Sequence, residues 1–271
     1  MHKAGTNAQS KLFPEVDSHT VYEQPLNERM RNVLRLEYLF QGIHDCLERD
    51  TAWDARAAII NMIEITDLIG RVDIKGELIK EIERHAAILS TLRSNTSVNQ
   101  NTLEKTLATI EPIAQALKVN SCQPGAKLRQ NELITQIKQR IAIPGGTCNF
   151  DLPAFHHWLS RGAEVRNAQI EEWLQDLKII EEATRTVLKL VRDSAVPRRV
   201  SAPTGFFQQQ LDANLPCQLV RVIVADADTM FPEISGGKHR FTVRFYRQPN
   251  TGSRAQQVQD TVWFELQCCG I

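Results

Sequence analysis

The sequence predicts an α+β protein, an N-terminal multi-helix domain followed by a small antiparallel β-strand domain. Three observations carry this expectation. Apolar residues recur three or four apart from Leu26 to about Val191, the spacing that lines one side of a helix. Beyond Pro197-Arg198-Arg199 the period falls to two, the spacing of a half-buried strand. The strand-like runs are separated by turn-rich loops of modest length, which suits antiparallel neighbours. The resulting boundaries are a polar extension over 1–20, a helical domain over 21–196 and a β-strand domain over 197–271.

Taken in order, residues 1–20 have no periodic apolar pattern and read as an extension outside the fold. Asn27 or Pro25 starts the first helix, with Met30, Val33, Leu36, Phe40, Ile43 and Leu47 on its stripe. Similar stripes cover Ala57–Ile69, Ile74–Leu92, Leu103–Leu117 and Leu128–Ile141. Pro144-Gly145-Gly146 stops the series, because proline cannot continue a helix and glycine relaxes φ for a turn. Asp151, just ahead of Leu152-Pro153, is the expected N-cap of a short helix carrying Phe155, Trp158 and Leu159. One long helix over roughly 166–193, about 40 Å at 1.5 Å per residue, carries Ile170, Leu174, Leu177, Ile180, Val187 and Val191. Alternation then marks strands at Val220–Val224, Phe241–Phe245 and Val262–Cys268, with a weaker one near Gly205–Gln209. Pro232–Gly237 and Gln248–Arg254 read as turn-rich connections.

The 271 residues balance 32 Lys+Arg against 32 Asp+Glu and are 42% hydrophobic, which excludes collagen-like, coiled-coil-only, disulfide-scaffold and wholly disordered chains. Zero net charge opposes a general nucleic-acid binder. No run approaches the roughly 20 apolar residues of a membrane-spanning helix, so no membrane insertion is expected. The start MHKAGTNAQSKLFPEVDSHT lacks the apolar core of a secretory signal, and a cytoplasmic location is expected. The six cysteines should then be reduced, with Cys268 a small buried hydrophobe and Cys269 on the opposite, outer side of its strand.

Catalytic and metal signatures are absent from the sequence. Gly237-Lys238 has Pro232 where a P-loop needs glycine and His239 where it needs a hydroxyl. Zinc spacings do not occur, and Asp226-x-Asp228 lacks the further oxygen ligands of a calcium loop. His156 and His157 point apart on a helix, one of them expected to be buried and hydrogen-bonded. No catalytic residue, metal or cofactor is assigned.

One segment stands out. Alternation puts Arg240, Thr242, Arg244 and Tyr246 on the face opposite Phe241, Val243 and Phe245. Residues 235–254 hold five Lys/Arg (Lys238, Arg240, Arg244, Arg247, Arg254) and no acid, in a chain of zero net charge. Such a face is either a solvated sheet surface or a row of guanidinium forks for an extended acidic peptide. Exposed ion pairs contribute about 0.2–1 kcal/mol each, so a few of them fall short of the roughly 8 kcal/mol of a micromolar complex. Apolar contacts or linked sites must supply the rest.

The words YEQPLNERMRNVLRLEYL (22–39), IPGGTCNFDLPAFHHWL (143–159), GFFQ (205–208), FPEISGGKHRFTVRF (231–245) and FELQCC (264–269) resemble the ZapD family of bacterial cell division proteins, from about Tyr22 to Cys269. The resemblance implies a non-enzymatic division factor, a symmetric homodimer with a helical and a β-strand domain in each subunit. It implies binding to the C-terminal tail of FtsZ, bundling of FtsZ protofilaments, lowered FtsZ GTPase activity and assistance to the Z-ring at midcell. The family's basic pocket falls on Arg71, Arg240 and Arg244 of this sequence. Lys75 follows Arg71 by one turn and would share its face if that segment were helical. Lys238, His239, Arg247 and Tyr246 join the expected site by proximity. The alternatives are a nucleic-acid binder using the 235–254 strip, and an enzyme with His156 and Cys148 in a cleft.

Overall fold

Asn27 fixes where the first helix begins: its backbone is extended and its Oδ1 accepts the Met30 amide at 2.8 Å, satisfying one orphan donor of the first turn. The computed structural model describes residues 19–95, 98–212, 217–225 and 229–270. The expectations for residues 1–18 and for the Asp226/Asp228 pair lie outside them. The fold is α+β. It divides into two compact units, a helical one over Asn27–Ser194 and a β unit that joins the stretch ending at Leu26 to Ala195–Gly270.

In the helical unit, α1 (Glu28–Leu47) and α2 (Ala52–Arg71) pack on each other, with Met30, Leu36, Phe40 and Ile43 of α1 and Ala58, Ile59, Met62 and Ile65 of α2 buried. Two further helices of similar length follow, α3 (Ile74–Thr91) and α4 (Gln100–Lys118), capped by Asp73 and Asn99. Three short helices, α5 (Ala126–Gln130), α6 (Glu132–Arg140) and α7 (Pro153–Leu159), precede α8 (Ala163–Leu174) and α9 (Lys178–Asp193). Helix α9 packs on α1, α3 and α4, and Ile180, Ala183, Val187, Leu188 and Val191 are all fully buried there. Burying each branched side chain of that stripe contributes roughly 1.5–3 kcal/mol.

Two expected helices are broken, each by a polar side chain. The 166–193 helix divides at Gln175–Leu177, where the Asp176 carbonyl accepts the Gly125 amide at 3.2 Å and its Oδ2 accepts the Leu128 amide at 3.1 Å. The 128–141 stripe divides at Asn131, whose extended backbone ends α5 while its Oδ1 caps α6 at the Ile134 amide. Asp151 does not cap α7. Leu152 stands at that position without a side-chain bond, and Asp151 instead pairs with Arg140 at 3.2 Å. Both His156 and His157 are exposed, so neither is the expected buried histidine.

The β unit has eight strands among the described residues: β1 (Thr20–Pro25), β2 (Arg198–Ala202), β3 (Phe206–Gln210), β4 (Leu219–Val224), β5 (Phe231–Gly236), β6 (Arg240–Arg247), β7 (Gln256–Gln257) and β8 (Val262–Cys269). One antiparallel sheet has the order β1-β4-β8-β2, and the other is β3-β6-β5 with β7 also on β6. A shared core of Val220, Val222, Phe241, Val243, Phe245, Phe264 and Leu266 holds the two together. Thr20–Pro25, assigned from sequence to the extension and the helical domain, is a strand paired along β4 from Thr20↔Val224 to Pro25↔Leu219. Pro232–Gly237, read as a turn, is largely strand β5; it is an edge strand, where the missing proline N–H leaves no ladder bond unmade.

A candidate partner-binding face on strand β6

Phe241, Val243 and Phe245 of β6 are fully buried, which obliges Arg240, Thr242, Arg244 and Tyr246 to stand on the other side of the sheet. The register supplies their neighbours. Phe206 of β3 and Glu233 of β5 flank Arg244, Gln208 and Ser235 flank Thr242, and Gln210 lies beside Arg240. Tyr246 sits opposite Phe231, their rings stacked with centroids 6.0 Å apart at 27°. The Arg244 guanidinium carbon lies 5.4 Å from the Phe206 ring centroid, a cation–π distance. Among the described residues neither Arg240 nor Arg244 has a carboxylate partner, and both are exposed.

The other basic residues are placed differently. Arg247, at the end of β6, pairs with Asp260 at 3.5 Å. Lys238 is exposed in the turn between β5 and β6, which is closed by the Gly237 amide on the Arg240 carbonyl at 3.0 Å. Glu233 stands two residues before the acid-free segment, so the sheet register brings one acid onto a face that the linear count showed as purely basic. The sequence also missed Phe206 and Phe231. Alternation along GFFQ and FPEIS is their only signal, and it does not say which strand each would lie against.

In the helical unit Arg71 is the last residue of α2 and lines a shallow groove of about 430 Å³ with Arg35, Tyr38 and Leu39 of α1 and Glu64 and Asp67 of α2. Tyr38 is 78% exposed there. The helix stops at Val72, which is extended, so Arg71 and Lys75 do not lie one turn apart on a common helix. Lys75 turns instead to the Cys122 carbonyl at 2.8 Å and the Val119 carbonyl at 3.4 Å. A separate groove of about 390 Å³ collects Trp53, Arg56, Thr147, Cys148 and His156. There Arg56 donates to Thr147 Oγ1 and lies 5.3 Å from the Trp53 ring centroid, while Cys148 donates to Asp151 Oδ2 at 3.5 Å. Cys148 and His156 share no hydrogen bond among the described residues, and no group of three or more metal-ligating side chains converges among them.

Comparison with known proteins adds the decisive observation: the family model described as ZapD, cell division protein, matches residues 34–244. The chain belongs to the ZapD family. It is 42% identical to the cell division protein ZapD of Methylococcus capsulatus over 249 residues, 92% of this chain and 97% of that one. The ZapD of Dechloromonas aromatica is 37% identical over 250 residues, 92% of this chain and 99% of the other. That of Coxiella burnetii is 32% identical over 251 residues, 92% and 97%. These ZapD relatives are named as cell division proteins, not as enzymes. The family match spans α2 with Arg71 and runs through Arg240 to Arg244. Among the described residues no helix is long and apolar enough to cross a membrane.

Proposed function

We propose that this ZapD-family chain is a non-enzymatic division factor that binds the C-terminal tail of FtsZ through the outer face of β6. One observation carries the reading: Arg240 and Arg244 stand exposed without a carboxylate partner among the described residues, beside Phe206, Tyr246 and Phe231. Guanidinium forks suit carboxylates of an acidic segment, and the rings supply the apolar contact that exposed charges alone do not. Arg71, which lines the helical unit's own groove with Arg35 and Tyr38, is proposed as a separate FtsZ contact of that unit. Lys238 supplies long-range attraction; Arg247 and Lys75, already engaged, contribute less.

A single site of this kind is weak, and two sites on a homodimer raise the effective affinity by presenting two FtsZ tails at once. The dimer cross-links protofilaments, bundles them, lowers their GTPase activity and supports the Z-ring at midcell in the cytoplasm. The test is salt dependence. Raising ionic strength from 0.1 to 1 M shortens the screening length from about 10 Å to about 3 Å. Pelleting of FtsZ with this protein is expected to fall across that range, and bundling indifferent to salt would contradict a basic tail site.

A further inference from the structure

The groove that collects Trp53 and Arg56 is built entirely within the helical unit, from the first turns of α2, the loop over 147–149 and α7. Trp53 and Arg56 stand three residues apart near the start of α2 and share one side of that helix. The Arg56 guanidinium carbon lies 5.3 Å from the Trp53 ring centroid and 5.8 Å from that of Phe155, which is fully buried. Contact with two rings holds the guanidinium on the groove wall. The loop is fixed as well: the Ile143 carbonyl accepts the Gly146 amide and the Gly145 carbonyl accepts the Cys148 amide, both at 2.9 Å, and a Cβ at Gly146 would meet the Arg140 carbonyl oxygen. This turn delivers Thr147, itself buried, to Arg56, which donates to Thr147 Oγ1.

Arg56 is thereby a part-buried cation with only a neutral acceptor. Thr147 takes one of the five N–H groups of the guanidinium, and among the described residues no carboxylate pairs with Arg56. The acids that flank these segments in sequence are engaged elsewhere. Asp54 accepts from Thr51 and pairs with Arg49 at 3.6 Å, while Asp151 pairs with Arg140 at 3.2 Å and accepts from Cys148 at 3.5 Å. No Asp or Glu lines the groove. An anion entering it would offset the cost of desolvating an unpaired charge. At the rim, Trp53 is 76% exposed, and Phe150, next in the chain to the lining residue Asn149, is 79% exposed. One cation beside large rings matches one carboxylate with an apolar neighbour, not a run of phosphates.

We infer that this groove docks an extended acidic peptide segment of a partner protein, its carboxylate on Arg56 and an adjacent bulky apolar side chain against Trp53. An Asp or Glu carboxylate has the fork geometry for the guanidinium N–H groups that Thr147 leaves, and the exposed ring supplies the apolar contact that the charge alone lacks. The inference does not rest on the FtsZ reading, since it uses neither β6 nor Arg71.

The test replaces the four tryptophans of the full chain with 5-fluorotryptophan and follows their fluorine NMR signals as a capped peptide, acetyl-Ser-Leu-Asp-Phe-Ser-amide, is added. Trp53→Phe identifies the Trp53 signal. That signal alone is expected to move, saturably, with a midpoint of about 1 mM, the strength of one charge-assisted contact and one ring. The same peptide with Asn in place of Asp should bind at least about fivefold more weakly. Arg56→Gln should show the same loss toward the Asp peptide and no longer distinguish the two peptides. The peptide comparison uses the unsubstituted protein, so it decides the matter even if that variant does not fold. A Trp53 signal that stays still, or that moves equally for the Asp and Asn peptides, would overturn the inference. So would a signal that responds to oligothymidylate but not to peptide, or to protein concentration alone, as when a second copy fills the groove. No FtsZ is present, so failure here and failure of the β6 site are separate results.

Discussion

Glu233 stands across the strands from Arg244 on the outer face, so its carboxylate repels any anionic segment of a partner that approaches that guanidinium. Removing that charge should help. Glu233→Gln is expected to tighten binding of an FtsZ tail peptide by about two- to fivefold, the equivalent of one exposed charge interaction, and to steepen its salt dependence. Fluorescence anisotropy at two salt concentrations measures both, and weaker binding by the variant would contradict the assigned face. Phe206→Ala removes the ring under Arg244, and the same assay should show a loss of about two- to fivefold. Arg240 and Arg244 were legible in the sequence because a period of two leaves no ambiguity about which side they take. Glu233 and Phe206 were not, because their relevance depends on which strands pair and in what register. Cys269, expected on the outer side of β8, is fully buried, and it was misplaced for a related reason: alternation says that two side chains point apart, but not that both sides are covered.

The strand ends depend on backbone conformations that few residues tolerate. Gly205, just ahead of β3, has φ of 65°, and a Cβ there would meet the Val258 carbonyl oxygen. Gly205→Ala should therefore destabilise the β unit by about 1–3 kcal/mol, read as a lower urea midpoint. Helix starts are more forgiving. Asn27→Ala loses one cap bond and should cost about 1 kcal/mol by the same measurement. Helical stripes and the three main strands could be read from spacing alone, since burial of one face imposes it. The interruptions could not. Asp176 and Asn131 end helices through bonds to amides elsewhere in the chain or to the next helix, and periodic apolar positions continue across both breaks. Strand β5 was hidden by Pro232, which only its edge position permits.

At the scale of the whole chain, the β unit is built from two distant segments, because β1 closes the edge of β4 along six residue pairs. A fragment over 197–271, the domain that the sequence boundaries suggest, lacks that strand and exposes the β4 edge. It should aggregate or remain unfolded by circular dichroism, and adding residues 19–26 as a separate peptide should increase its structure. A fragment that folds cooperatively alone would show that β1 is dispensable. The proposed function rests at this scale on two sites per homodimer, since neither exposed arginines nor isolated rings hold a partner tightly. The most direct measurement is sedimentation of polymerised FtsZ, with and without its C-terminal tail, against this protein and its Arg240→Glu/Arg244→Glu variant. Bundling of intact FtsZ alone, and only by the unmodified protein, is the predicted result. Equal bundling by the folded charge-reversed variant, or of FtsZ lacking its tail, would contradict the account.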